Sequence, residues 1–352
     1  MHKDNFEELL GFEPYSVPSE KKEALLIEGL LWQSCKLKEK SNKYRNILEK
    51  LWPPLDGKLT LHELPYIPAS VFKQIDLMED SKDKKGQIFE SSGTTGQQKS
   101  KIFICSETSL RQQKALFHSF SNITNNNRVP ILFLDSEQSL YENQNYSARN
   151  AGVLGFMRLG SRFEFALKED LSIDRQKVKN FLSKYGNDHF LIFGFTFIVW
   201  QALLGCQALD FSKGTLIHSG GWKKMQAQSI GDAEFRAFLK TKFHFEKIIN
   251  FYGMVEQLGS MFIQKDGGAL FAPNFADVII RCPKTLKPLA NEEIGLVQVL
   301  SLIPLSYPGH SILTEDLGSI KFIKTKNGGT VKALTIEGRL AKSEVRGCSD
   351  TV

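Results

Sequence analysis

The sequence predicts an α/β protein with a helical amino-terminal region, an alternating core and a strand-rich closing segment. Three observations predict it. Residues 1–52 place apolar side chains at helical spacing: Phe6, Leu9 and Leu10, then Leu25, Leu26, Leu30 and Leu31, then Ile47, Leu48 and Leu51, with charges between them. From Gln87 to Phe251 short apolar runs alternate with amphipathic stretches, the pattern of strands joined by helices. From Phe271 onward, apolar runs of strand length are separated by Gly, Pro and Asn.

Taken in order, the helical region ends at Trp52-Pro53-Pro54, because proline cannot donate a backbone N–H and disfavours helix at the residue before it. Two prolines then hold Leu64-Pro65-Tyr66-Ile67-Pro68 extended. Short strands are expected over 87–89 and 101–104, with a polar loop between them. Next come a strand over 129–134, a helix near 147–155, a strand over 190–193 followed by a helix over about 197–204, a strand over 214–218, a helix over 232–243 and a strand over 247–251. The closing segment suggests strands over 276–282, 295–301, 319–324 and 330–336. The expected division is a helical region 1–75, an α/β core 76–270, a β-rich subdomain 271–337 and a tail 338–352.

Composition narrows the function. The net charge is +6 over 352 residues, and the first fifty residues balance nine acids against nine bases. A groove that tracks a nucleic-acid backbone would concentrate its lysines and arginines, so nucleic acid is not expected as a partner. Cys35, Cys105, Cys206, Cys282 and Cys348 are widely spaced and form no CxxC pair, which leaves zinc and thioredoxin-type readings without support. The first ten residues carry Lys3, Asp4, Glu7 and Glu8 instead of an apolar signal region. A cytoplasmic location with free thiols is therefore expected, and the first four cysteines read as core. The run FLIFGFTFIVWQALL, broken by Gly194, Thr196 and Gln201, falls short of the roughly twenty residues a membrane span needs.

The most informative segment is Glu90-Ser91-Ser92-Gly93-Thr94-Thr95-Gly96-Gln97-Gln98-Lys99-Ser100. It presents four hydroxyls, two glycines and a lysine within nine residues. Glycines allow backbone N–H groups to approach a ligand closely, hydroxyls donate to phosphate oxygens, and Lys99 adds a full charge. It is not a Walker A loop: the fifth residue after Gly93 is Gln98, where that motif needs glycine, and a strand instead of a helix follows. Composition alone leaves a flexible hairpin turn open beside a phosphate cradle. The order favours the cradle, since hydroxyls flank both glycines and a lysine closes the loop.

This order resembles the phosphate loop of the adenylate-forming superfamily, which includes acyl- and aryl-CoA synthetases. Other segments resemble further motifs of that superfamily in its order: His218-Ser219-Gly220-Gly221-Trp222-Lys223-Lys224, Tyr252-Gly253-Met254-Val255-Glu256, Thr314-Glu315-Asp316-Leu317-Gly318 and Gly338-Arg339. More closely, the stretch LPYIPASVFK, Ser147-Ala148-Arg149, Phe193-Gly194-Phe195-Thr196 and the ending Glu344-Val345-Arg346-Gly347-Cys348-Ser349-Asp350 resemble LuxE-type acyl-protein synthetases, and that resemblance covers nearly the whole chain.

The resemblance implies the N-terminal body of an adenylate-forming enzyme: stacked α/β subdomains plus a β-rich subdomain. The mobile C-terminal lid is expected to be absent, because thirteen residues follow Arg339. It implies ATP and Mg²⁺ as cofactors, a fatty acid as substrate, and an acyl reductase or carrier protein as partner. A free carboxylate does not acylate a nucleophile, because oxide would have to leave; the anhydride with AMP supplies a leaving group. Bringing carboxylate to ATP brings anion to anion, so the site must supply cations and donors. By resemblance, Lys99 and the hydroxyls of Ser91, Ser92, Thr94 and Thr95 face the β- and γ-phosphates, with Gly93 and Gly96 shaping the loop. Glu256 holds Mg²⁺, a hard cation that prefers carboxylate. Tyr252, Gly253, Gly220 and Gly221 face adenine, and Asp316 and Arg339 face the ribose. The resemblance to LuxE-type enzymes implies that Cys348 accepts the acyl group, as a thiolate is a strong nucleophile; on the residues alone an inert free thiol on a frayed tail stays open. Lys223, Lys224 and Lys342 are candidates to replace the lid lysine, with nothing to choose between them. Two alternatives stay open: a lidless phenylacetate-CoA-ligase-like acyl/aryl ligase or transferase with another acceptor, and a non-catalytic nucleotide-binding subunit. Lys99, Glu256 and Asp316 argue against the latter.

Overall fold

The computed structural model describes residues 2–55, 59–78, 86–91, 99–141, 146–221, 230–265, 268–325 and 329–340. The chain divides by its own contacts into two units. The first is discontinuous, built from Met1–Ser91, Gly96–Asn122 and Gly253–Glu344; the second is mainly Ile123–Tyr252.

The chain opens with α1 (Phe6–Leu10), α2 (Ser19–Lys40) and α3 (Asn42–Leu51). Ser41 starts α3 by accepting the Tyr44 N–H at 3.4 Å, which satisfies one of the donors left open in a first helical turn. There follow β1 (Ile67–Pro68), α4 (Val71–Gln74), β2 (Gly86–Glu90), β3 (Lys101–Cys105) and α5 (Ser106–Thr124). The second unit contributes β4 (Val129–Ser136), β5 (Tyr146–Ser147), α6 (Ala148–Met157), β6 (Gly160–Leu167), α7 (Arg175–Tyr185), β7 (Phe190–Phe195), α8 (Thr196–Leu204), β8 (Gly214–Ser219), α9 (Asp232–Phe243) and β9 (Lys247–Tyr252). The chain then returns to the first unit with β10 (Phe262–Gln264), β11 (Leu270–Phe271), β12 (Ala276–Arg281), β13 (Gly295–Ser301), β14 (Ser311–Lys324) and β15 (Thr330–Arg339).

In the second unit, β9, β8, β7, β4 and β6 lie side by side in that order, all parallel. Every residue of β7 and β8 is buried, which is why both read as unbroken apolar runs instead of alternating ones. From β4 the chain goes to β6 on one flank and then to β7 on the other. In open parallel sheets this reversal marks where ligands bind, at the carboxyl ends of the strands. Those ends carry Asp135, Thr196, Ser219 and Tyr252. Behind them Phe156 stacks on Phe193 with centroids 4.2 Å apart.

In the first unit, β12, β13, β14, β15, β11 and β10 pair antiparallel in that order, and β1 adds parallel to β14. The long β14–β15 ladder runs from Asp316 opposite Arg339 to Lys324 opposite Thr330, with a register shift after Leu317. The helices are sewn to these strands by buried polar groups. The Gln33 amide donates to the Leu302 and Pro304 carbonyls, both at 2.8 Å. The Asn274 amide donates to the Glu13 carbonyl at 2.8 Å. Asp277, fully buried, sits between Lys332 at 3.1 Å and Lys22 at 3.9 Å.

Two expectations change. The strands expected over 319–324 and 330–336 are longer: β14 takes in Thr314–Gly318 and β15 takes in Gly338–Arg339, and the two backbones pair from Asp316 onward. Of the cysteines read as core, Cys206 is buried, whereas Cys35, Cys105 and Cys282 are partly exposed. Cys35 lies on a half-covered helix face, and the other two end or follow strands. Among the described residues no helix is long and apolar enough to cross a membrane; the run 190–204 is β7 and α8.

Candidate active site

The hydroxyl-rich loop springs from the β2–β3 hairpin. Glu90 pairs with Lys101 in the ladder, and one step beyond it Ser91 and Ser100 close the loop base. The Ser91 N–H donates to the Ser100 carbonyl at 3.0 Å, and the Ser100 N–H donates to the Ser91 hydroxyl at 2.9 Å. Lys99 leaves this base with its ammonium 3.6 Å from the Glu90 carboxylate, which also lies 3.9 Å from Lys101. Glu90 was not singled out in the sequence; its carboxylate lies within ion-pair distance of both lysines. Ser92, Gly93, Thr94, Thr95 and Gly96 lie outside the described residues, as do Lys223, Lys224, Lys342 and Cys348.

Glu256 sits in the single turn Val255–Gln257 and is 6% exposed. Burial pushes its carboxyl above the usual range. The Ser100 hydroxyl and the Arg339 guanidinium pull it back down, and Asp316 opposes them. The structure thus brings Glu256, Ser100, Asp316 and Arg339 into one electrostatic cluster inside the first unit. The Ser100 hydroxyl is near enough to favour the ionised carboxylate, yet it makes no hydrogen bond of ordinary geometry among the described residues. The turn is fixed from behind by Gln257, whose amide donates to the Val299 carbonyl at 3.0 Å and the Gly309 carbonyl at 2.8 Å.

Asp316 and Arg339 face each other across β14 and β15, with Arg339 Nε 3.4 Å from Asp316 Oδ1 and its terminal nitrogen 3.4 Å from Glu315. The Asp316 N–H donates to the Thr314 hydroxyl at 3.1 Å, and that hydroxyl donates to the Val297 carbonyl at 2.7 Å. The threonine of the Thr-x-Asp motif therefore fastens the strand that presents the aspartate.

In the second unit, β8 ends at His218 and Ser219, and Gly220 follows with φ +88°. That left-handed conformation is strained for any side chain, so the turn requires glycine. Gly221 is exposed, and Tyr252 and Gly253 are half-buried at the end of β9. The Thr196 hydroxyl donates to the Ser219 carbonyl at 3.1 Å and so accepts from His218 Nδ1 at 2.9 Å. This network assigns the Nδ1–H tautomer. Burial, then nearby Arg236, hold the imidazole down at about 3, with Asp232 opposing, so it is neutral at neutral pH. His218 also packs on Phe235 with centroids 5.1 Å apart, which fits a histidine that shapes the strand end.

One pair escaped the sequence reading. Asp135 at the carboxyl end of β4 accepts from Arg149 Nε at 3.0 Å and from its terminal nitrogen. The two side chains are 1% and 2% exposed. Arg149 lies in the Ser-Ala-Arg segment, and that segment was the available signal.

Residues 4–352 match the family described as acyl-protein synthetase, LuxE. The long-chain-fatty-acid–luciferin-component ligase of Aliivibrio fischeri is 25% identical over 311 residues, covering 84% of this chain and 79% of that protein. In structure the chain is similar to a 2-hydroxyisobutyryl-CoA ligase solved in an open conformation with 2-HIB-AMP and CoA. The TM-score is 0.68 at 13% identity, over 93% of this chain and 77% of that one. This likeness shows the fold, the N-terminal body of adenylate-forming enzymes. The chain spans about half the length (47%) of ATP-bound MatB from Rhodopseudomonas palustris, which it matches over 72% of its own residues at 15% identity and a TM-score of 0.49. With a family match running from residue 4 to residue 352, and a fold that agrees with it, the chain belongs to the LuxE family of acyl-protein synthetases.

Proposed function

We propose that the chain is an ATP-dependent acyl-protein synthetase that activates a fatty acid as acyl-AMP and transfers the acyl group to Cys348, for delivery to a partner such as an acyl reductase. The observation that carries this reading is the buried Glu256 carboxylate, set beside Ser100 at the base of the hydroxyl-rich loop and beside the Asp316–Arg339 pair. The relative's name supplies the substrate class, a long-chain fatty acid, joined there to a luciferin component, and the family description supplies a protein as the group acylated.

The chemistry runs in two displacements. A carboxylate oxygen of the fatty acid attacks the α-phosphorus of ATP, the bond to the bridging oxygen breaks, and pyrophosphate leaves. The Cys348 thiolate then attacks the acyl carbonyl, the carbon–oxygen bond to phosphate breaks, and AMP leaves behind a thioester. Lys99 exchanges Glu90 for phosphate, aided by Ser91, Ser92, Thr94 and Thr95 and by the backbone at Gly93 and Gly96. Asp316 accepts from ribose hydroxyls with Arg339 beside it, and Gly220, Gly221, Tyr252 and Gly253 receive adenine. The donor set fits magnesium: Glu256 offers one buried carboxylate, a hard oxygen donor. Mg²⁺ is commonly held in this way, by one or two carboxylates together with substrate phosphates and water. When bound, it neutralises charge on the phosphate oxygens.

The test is Cys348→Ser, assayed with ATP, magnesium and a panel of radiolabelled fatty acids. Fatty-acid-dependent ATP–pyrophosphate exchange should persist while covalent acyl labelling of the chain disappears. Labelling at the wild-type level would overturn the role of Cys348.

A further inference from the structure

β6 closes one flank of the parallel sheet in the second unit, and among the described residues β4 is the only strand of that sheet beside it. Its later half is covered on the outer side by the chain that follows. The Asp174 N–H donates to the Ala166 carbonyl at 2.8 Å, the Lys168 N–H donates to the Ser172 carbonyl at 2.9 Å, and Leu167 bridges Ile173 antiparallel. Among the described residues no such backbone bond reaches Gly160–Phe165, where Ser161, Arg162 and Phe163 are exposed. An open strand edge is a template for another strand.

Three observations say what fits this one. Phe163 is 48% exposed, yet its ring is already set, T-shaped against Phe133 and Phe165 with centroids 6.4 and 6.2 Å apart. A rigid aromatic side chain is the usual anchor of an interface. Next, the two charged neighbours of Phe163 turn back onto their own strand. The Arg162 guanidinium donates to the Ser161 carbonyl at 2.9 Å, and the Phe165 N–H donates to the Glu164 carboxylate at 3.1 Å. Finally, the charges are opposite and symmetric about Phe163. A two-fold axis through Phe163 sets Arg162 of one copy opposite Glu164 of the other, twice. It also sets Ser161 opposite Phe165, so the carbonyl and the N–H that these side chains occupy come face to face. β14 shows the contrary pattern. Its exposed Phe322 and Ile323 lie between Lys321 and Lys324, which a two-fold would bring against each other.

We propose that the open edge of β6 is a self-docking surface, where two copies of this chain pair antiparallel about a two-fold axis through Phe163. An isologous contact of this kind needs a surface complementary to itself, and the order Arg162-Phe163-Glu164 supplies one. Opposite charges directly across an antiparallel pair stabilise it, and like charges there destabilise it. Lys177 of α7, 3.6 Å from Glu164 and 40% exposed like it, leaves that carboxylate free to take a second cation. The contact is short, so the dimer should be concentration-dependent.

The experiment is sedimentation equilibrium of the full chain over a concentration series reaching the high micromolar range. The wild-type mass should rise from 39.8 kDa toward twice that value. Arg162→Glu and Glu164→Arg should each weaken association by about tenfold or more, because each sets like charges opposite at both crossings. Mixed in equal amounts, the two variants should associate again, since every crossing then joins unlike charges. The double variant Arg162→Glu/Glu164→Arg should also associate. Circular dichroism should match the wild type throughout, as both positions lie outside the core. A wild-type chain that stays monomeric would overturn the proposal. So would single variants that associate like the wild type, which would mean another surface, or a mixture that stays monomeric, which would mean that the charges do not meet.

Discussion

Replacing Arg149 by methionine should destabilise the second unit by about 3–5 kcal/mol, the usual consequence of stranding a buried charge. The geometry sets the upper part of that range. Asp135 is 1% exposed, and both its oxygens accept from the Arg149 fork. Without the guanidinium, the carboxylate keeps the Ser136 N–H at 2.6 Å and has almost no access to water. The double variant Asp135→Asn/Arg149→Met removes both charges and should recover most of the loss, because neutral replacements of buried pairs are often close to neutral in energy. Urea unfolding followed by circular dichroism and by tryptophan fluorescence measures both. With a slope of about 2–3 kcal/mol per molar, the single variant should lower the midpoint by about 1–2.5 M. A loss below about 1 kcal/mol, typical of an exposed pair, would refute the reasoning. A double variant no more stable than the single one would refute the coupling.

Two further outcomes follow from the geometry. Gly309→Ala must push apart the Glu256 carbonyl and the Tyr307 ring; overpacking of that kind costs about 1–3 kcal/mol. Calorimetry should show weakened ATP binding alongside a lower melting temperature, and wild-type values for both would show slack in the turn. Acid should also destabilise the fold. Burial holds His218 and His310 at about 3, so the unfolded chain takes up protons below about pH 6.5 while the native chain does not. Stability should therefore fall from pH 6.5 toward 3, at up to about 1.4 kcal/mol per pH unit for each histidine. Asp277 adds to this. Burial alone would raise its carboxyl, but Lys22 and Lys332 hold it below the usual range, so its contribution is lost as pH falls through that lowered value. Denaturation midpoints from pH 7 to 4 test the slope, and NMR titration of either imidazole near pH 6.5 would contradict the assignment.

What was legible in the sequence depended on how local the signal was. β7 and β8 are buried throughout, so they stand out as apolar runs, and their ends were missed by one or two residues where polar Thr196 and Ser219 turn toward partners. α7 was missed because it buries only Val178 and Phe181 among charged neighbours. Its cap, Asp174 accepting from Gln176 and Lys177, was the better clue. β6 is an edge strand whose Ser161 and Arg162 are exposed, which hides its period. In the candidate site, Lys99, Glu256, Asp316 and Arg339 were read from ordered motifs. Glu90 and Ser100 stood at the two ends of the hydroxyl-rich segment without a role, because what joins them to Lys99 and to the loop base is hairpin register, which leaves no pattern along the chain.

The discontinuity of the first unit bears on how the chain is made. Its amino-terminal helices hold partners synthesised much later: Tyr15 binds the Met261 carbonyl, Gln33 the Leu302 carbonyl and Ser34 the His310 ring, over separations of 246, 269 and 276 residues. At ribosomal rates of about 5–20 residues per second, α2 waits on the order of 10–60 s for the strands that cover it. Residues 123–252, the bulk of the second unit, are continuous and emerge complete within that interval. The order of birth is thus the reverse of the order of closure. The leucine face of α2 (Leu26, Leu30 and Leu37) is what a ribosome-associated chaperone would have to shield while the middle of the protein folds first.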